Sequence, residues 1–132
     1  MSRDYINPPE LSKPNGYTHV VRARGSQLIY LAGQVALDRT GNLVGRGDLR
    51  AQAVQVFENL KAGLAAADAT FADVVKMTML IVNYTPEMRP ILREVRELYL
   101  SAERPPANTL VGVQALAVDG LLIEIEAVAI KD

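Results

Sequence analysis

Two periods run through the apolar positions of this chain. Ala53, Val56, Phe57, Leu60 and Leu64 recur at spacings of three and four, the repeat of an amphipathic helix. Asp48 stands where an N-cap belongs, Gln52 lies close to capping-box spacing, and the helix is expected to end near Ala67–Asp68. Met88, Ile91, Leu92, Val95, Leu98 and Tyr99 form a second helical stripe, opened by Thr85 as N-cap with Pro86 in the first position and closed before Pro105–Pro106. Elsewhere the period is two. Residues 18–24 and 28–37 alternate on either side of Gly25–Ser26 and read as a β-hairpin. Residues 74–82 are a β-branched apolar strand, and residues 109–115 and 121–130 are two more, joined by a turn at Asp119–Gly120. Residues 1–16, with Pro8, Pro9 and Pro14, read as an extended arm. Residues 38–47 read as a glycine-bearing loop with a short strand at Leu43–Val44. The order ββαβαββ predicts a single α+β domain over residues 1–132, one mixed sheet with two helices packed on one face.

Strand alternation then sorts side chains by face. Leu121, Ile123, Ile125, Ala127 and Ala129 form one face of the last strand, expected beneath the helices, and Leu122, Glu124, Glu126, Val128 and Ile130 form the other. Ile29, Leu31, Val35 and Leu37 likewise oppose Tyr30, Ala32 and Gln34, and Thr109, Val111 and Val113 oppose Asn108, Leu110 and Gln114. The face without helices is thus too apolar to be solvated, and its natural cover is further subunits. A cleft at such an interface would gather Glu124, Gln34 and Asn108; the plainer reading pairs Glu124 and Glu126 with basic side chains across strands.

Composition narrows the chemistry. A chain of 132 residues holds one domain. It has no cysteine and one histidine, His19, which excludes disulfides and thiolate nucleophiles and leaves no histidine metal cluster; carboxylate sites for hard metals have no motif here, and no metal is expected. His19 reads as structural. A net charge of −1 and a pI near 5.8 give no support to capture of nucleic acid. With no apolar run of membrane-spanning length and no signal-type N-terminus, the expectation is a cytoplasmic protein with no membrane partner.

Several segments, taken together, resemble the Rid family (reactive intermediate deaminases, also called YjgF). They are Leu31-Ala32-Gly33-Gln34, then Gln55 with Asn59-Leu60-Lys61, then Asp73-Val74-Val75-Lys76. Near the C-terminus stand Pro106-Ala107-Asn108-Thr109-Leu110-Val111 and Ile123-Glu124-Ile125-Glu126-Ala127-Val128-Ala129. The resemblance implies a chorismate mutase-like fold, a homotrimer with sites between subunits, and cofactor-free hydrolysis of 2-imino acids to 2-oxo acids and ammonia. It maps a water-orienting catalytic carboxylate onto Glu124 and substrate-binding positions onto Tyr17, Ala32, Gly33, Gln34, Asn108 and Leu110.

Two of those positions depart from the family pattern. Asn108 stands at the arginine that pairs with the substrate carboxylate, and Ala32 stands at a serine. Asparagine donates hydrogen bonds without charge, so the ligand is expected to differ from the usual one. Arg93-Glu94-Val95 matches a family segment in which a site Asn precedes Glu-Val, so on this alignment Arg and Asn have exchanged positions 93 and 108. On the helix itself Arg93 lies nearly opposite the apolar stripe beside Arg89 and Arg96, the ordinary place of a solvated charge. Arg104 is a further basic side chain close in sequence to Asn108. Three functions follow: hydrolysis of an imine with Glu124 orienting water, a non-catalytic trimer that binds a metabolite or protein, and the RNA cleavage ascribed to some relatives. The acidic pI speaks against the last.

Overall fold

In a computed structural model of the chain, residues 2–132 are described. The order is β1 (Ser2–Ile6), β2 (Val20–Arg24), β3 (Gln27–Val35), α1 (Leu49–Ala66), β4 (Val74–Val82), α2 (Arg89–Glu97), β5 (Ala107–Val113) and β6 (Ile123–Lys131). Four strands form a mixed sheet in the order β3-β6-β4-β5, with only β4 and β5 parallel. Both helices cover one face.

The core lies between helices and sheet. Val56, Phe57 and Leu60 of α1 are sealed against Met77, Met79 and Ile81 of β4 and Ile123 and Ile125 of β6. The period-three-and-four stripe of α1 and the odd-numbered face of β6 therefore meet as expected. The other face of the sheet leaves Leu28, Tyr30 and Val111 exposed, Tyr30 at 76%.

Six local readings are corrected. Residues 2–6 form a strand rather than an arm, and β2 pairs with it instead of forming a hairpin with β3. Arg3 decides this: its guanidinium reaches Asp73 Oδ1 at 2.8 Å and the Ile130 carbonyl at 2.6 Å, holding β1 against the sheet. Gln52 does not close a capping box. Asp48 caps α1 through Ala51 N–H, while the Gln52 amide, fully buried, donates to the Gly45 and Gly120 carbonyls and accepts from Leu122 N–H.

The second helix starts later than Thr85: a 3-10 turn spans Pro86–Met88 and α2 begins at Arg89. Pro90 explains the break, because its ring has no N–H and would clash with the carbonyl four residues back in a continuous α-helix. Leu98 of the expected stripe is 71% exposed, since α2 ends at Glu97. Finally, a β-bulge interrupts β3. Leu31 faces Ala127 and Gln34 faces Ile125, so three steps on β3 match two on β6. Beyond the bulge alternation is reversed. Ala36 is the fully buried residue, and Val35 pairs with Glu124 on the opposite face from Leu31.

Candidate functional site

The sequence-selected residues separate into two groups. The first sits at the β5 edge. Asn108 pairs with Met77 and Leu110 with Met79, both core-facing, so these two β5 side chains point to the helix side. There they meet α2 and the segment before β2. Asn15, Tyr17, Arg89, Leu92, Arg93, Arg96, Asn108 and Leu110 line a cavity of about 150 Å³. Tyr17 is half-buried and packs edge-on to His19, ring centroids 5.2 Å apart. His19 is held by its own contacts, a 2.6 Å hydrogen bond between Nε2 and the Ser12 carbonyl and a backbone N–H donated to Asn7 Oδ1, as befits a structural histidine.

Arg93 belongs to this cavity. The face of α2 opposite the core is not open to solvent throughout, because residues 15–17 pass over it. Gly16 (φ +81°) lies so close to Arg96 that a Cβ there would be 2.3 Å from Nη2, and Arg93 Nη2 donates to Asn15 Oδ1 at 3.5 Å. Arg104 goes elsewhere, with its guanidinium carbon 5.2 Å from the centroid of the Tyr5 ring. Asn108 is poorly satisfied: Nδ2 contacts only Met79 Sδ at 3.6 Å, and Oδ1 is buried without a partner.

Arg89, Arg96 and Asn15 were not singled out from the sequence. The signal was present for the arginines, since positions 89, 93 and 96 fall within an arc of about 60° at 3.6 residues per turn. What the helix wheel lacks is the arm that turns this face into a wall. Burial pulls the Arg96 pKa below its ordinary value, and the nearby Arg93 charge adds to the effect.

The second group sits on β6 and the β3 bulge. Glu124 pairs with Leu80 and Val35 on the face without helices. A Cβ added to Gly33 would lie 2.0 Å from Glu124 Oε2, so the carboxylate lies directly over the bare α-carbon of the bulge. Neither Glu124 nor Glu126 takes part in an ion pair among the described residues. Ala32 is exposed at the bulge beside Gly33. Gln34, reversed by the bulge, joins the α1 side, where it lines a groove with Gly33, Gln55 and Asn59.

Glu124, Gln34 and Asn108 are therefore not gathered in one chain. Glu124 and Asn108 point to opposite faces and stand two strand spacings apart, roughly 10 Å, in addition to their offset along the strands. Within a single chain the two groups form half-sites. The chemistry divides with them: one half offers guanidinium, phenol and amide donors for an anion, the other a free carboxylate beside backbone that approaches closely.

Comparison with known proteins places this geometry. Residues 9–131 match the family model described as Endoribonuclease L-PSP. A crystal structure of a conserved Rid family protein from Yersinia pestis superimposes with a TM-score of 0.89 at 41% identity, covering 98% of this chain and 99% of that one. A RutC family protein of Pyrococcus horikoshii is 38% identical over 98% of this chain and 99% of its own length. A 2-iminobutanoate/2-iminopropanoate deaminase of Dermatophagoides farinae is 30% identical over 95% and 94%. Among the described residues, no helix is long and apolar enough to cross a membrane.

Proposed function

Because the chain belongs to the Endoribonuclease L-PSP family, which includes the Rid and RutC proteins, we propose that it hydrolyses a 2-imino acid to the 2-oxo acid and ammonia. The observation that carries this reading is the presence of Arg93 in one cavity with Tyr17, Asn108 and Leu110. The guanidinium that the family pattern has at position 108 is supplied from α2 instead. Arg93 pairs with the substrate carboxylate, a planar two-point contact suited to guanidinium. Asn108 and Tyr17 supply neutral donors beside it.

The reaction needs little more than position. Glu124 orients a water and accepts its proton as the oxygen attacks the imine carbon. Glu124 returns that proton to nitrogen to give the carbinolamine, then carries the hydroxyl proton to the same nitrogen as the C–N bond breaks, so that ammonia leaves with the carbonyl formed. Glu124 of one subunit serves the Arg93 cavity of its neighbour in a homotrimer, with Ala32 and Gly33 forming the floor. Two features support this division: the half-sites lie on opposite faces of one chain, and the apolar face carrying Glu124 is uncovered in isolation.

The test is ammonia release from freshly generated 2-imino acids. Glu124→Ala is expected to abolish turnover. Arg93 is exposed in the single chain; once the neighbouring subunit covers it, Arg93→Asn is expected to lower kcat/KM by about a hundredfold, the usual cost of losing one partner of a buried charge pair. The exchange R93N/N108R moves the guanidinium to β5 and is expected to recover most of the loss. Wild-type turnover in Glu124→Ala would overturn the mechanism. A silent wild type that binds 2-oxo acids would favour a non-catalytic binding module.

A further inference from the structure

Arg93 suffices for one carboxylate, yet the cavity has three arginines. Arg89, Arg93 and Arg96 all line it, and none has a carboxylate within 4.0 Å among the described residues. Elsewhere Arg3, Arg22, Arg46 and Arg50 each pair with a carboxylate, while Arg24, Arg39 and Arg104 stand apart from one another; among the described residues, only on α2 do three arginines without an ion pair line one cavity. The pair of Arg50 with Glu94 removes Glu94 as a neutralising neighbour. Glu97, the other carboxylate on α2, draws on Arg96 through space but bonds to none of the three.

This arrangement is costly as helix design. Arg89 is the first residue of α2, next to the 3-10 turn that carries Glu87, and a cation so near the start of a helix opposes its dipole. Arg89 and Arg93 are four apart and Arg93 and Arg96 three apart, spacings at which like charges repel. Burial and the charge of Arg93 both work against the protonated form of Arg96. A local rule broken without local compensation marks a place where a ligand supplies the compensation. The volume is small, about 150 Å³ or roughly five waters at liquid density. Asn108 adds an amide whose buried Oδ1 lacks a partner, an acceptor suited to the N–H of an imine.

We propose that the site prefers a dianionic substrate, a short 2-imino acid with a second acidic group, whose carboxylate is taken by Arg93 and whose distal anion is taken by Arg89 and Arg96. This deepens the imine-hydrolysis reading and rests on it for the first of those contacts. A distal carboxylate and a distal phosphoryl group satisfy the same arginines, and the titration separates them.

The experiment is calorimetric titration of the whole protein with 2-oxo acids, the products of the reaction. Pyruvate and 2-oxobutanoate are the monoanions, 2-oxoglutarate carries a second carboxylate, and 3-phosphonooxypyruvate carries a phosphoryl group. At least one dianion is expected to bind tenfold or more tightly than either monoanion, and the tighter one names the distal group. Arg89→Gln is expected to shrink that preference below threefold, and Arg89→Lys to keep part of it. Arg89 is exposed, so its replacement leaves the fold intact, which a melting curve checks. Equal affinity for mono- and dianions, or a preference unchanged in Arg89→Gln, would overturn the proposal. Ammonia release decides the underlying reading separately: turnover of a pyruvate-derived imine without any dianion preference sinks only this inference. Arginine-dependent dianion binding without turnover of any imine sinks only the hydrolysis.

Discussion

At the residue scale, Gly33 is the glycine whose missing Cβ leaves the closest approach, 2.0 Å to Glu124 Oε2. Its backbone is not in the left-handed region, so flexibility is not what the bulge asks of it; the missing Cβ is, because Glu124 Oε2 occupies that space. Gly33→Ala therefore pushes the carboxylate aside without breaking the sheet. A displacement of about 1 Å at a catalytic group costs on the order of a hundredfold in rate. The expected outcome is a kcat lower by about that factor with stability unchanged or higher by a few tenths of a kcal/mol, since alanine narrows the unfolded ensemble. Steady-state ammonia assays and urea unfolding check the two halves. Asn108 was legible at this scale as a departure from its family. The alignment that exchanges positions 93 and 108 offered Arg93 as its counterpart, whereas the helix wheel pointed Arg93 to solvent, because a wheel records direction and not what lies over the helix.

At the element scale, two side chains hold the helices to the framework. Gln52 joins the start of α1 to the loop before α1 and the turn before β6 through three hydrogen bonds. Gln52→Leu fills similar volume but strands two carbonyls and an N–H. Unfolding free energy is expected to fall by about 3 kcal/mol, at a typical cost of about 1–3 kcal/mol for each buried orphan group that water does not reach; urea denaturation measures it. At the middle of α1, Tyr99 stacks on Phe57 with centroids 4.9 Å apart and donates to Glu58 Oε2 at 2.7 Å. Burial, the hydrogen bond and the Glu58 charge push its pKa up to about 12 from 10.0. Folding thus favours the neutral phenol. The stability this contributes is complete below pH 10 and is lost as pH rises through about 12. Wild-type unfolding midpoints should fall across that window more steeply than those of Tyr99→Phe.

At the scale of the whole molecule, the two half-sites make a prediction that no single-chain site shares. Arg93→Asn keeps a sound Glu124, and Glu124→Ala keeps a sound arginine cavity. If each site joins two subunits, unfolding and refolding the two inactive variants together creates trimers in which about a quarter of the interfaces hold both intact halves. Activity is expected to reappear to that extent in the mixture and in neither variant alone. Sedimentation equilibrium is expected to give three times the chain mass of 14.4 kDa. Tyr30→Glu, which puts a charge on the exposed apolar face, is expected to lower both the mass and the activity.

The period-two and period-three-and-four patterns determined the α+β class, the two helices on one face and the buried side of β6, because each rests on spacing along a single element. Segment by segment, the residues of β3, β5 and β6 also carried the family. What only the tertiary structure decided depends on partners distant in the chain. The Arg3–Asp73 contact places β1, and the register of β3 against β6 reveals the bulge that sends Gln34 away from Glu124. The passage of residues 15–17 over α2 turns a row of arginines into the wall of a cavity. Alternation and helical period describe where a side chain points; only long-range packing determines what it meets there.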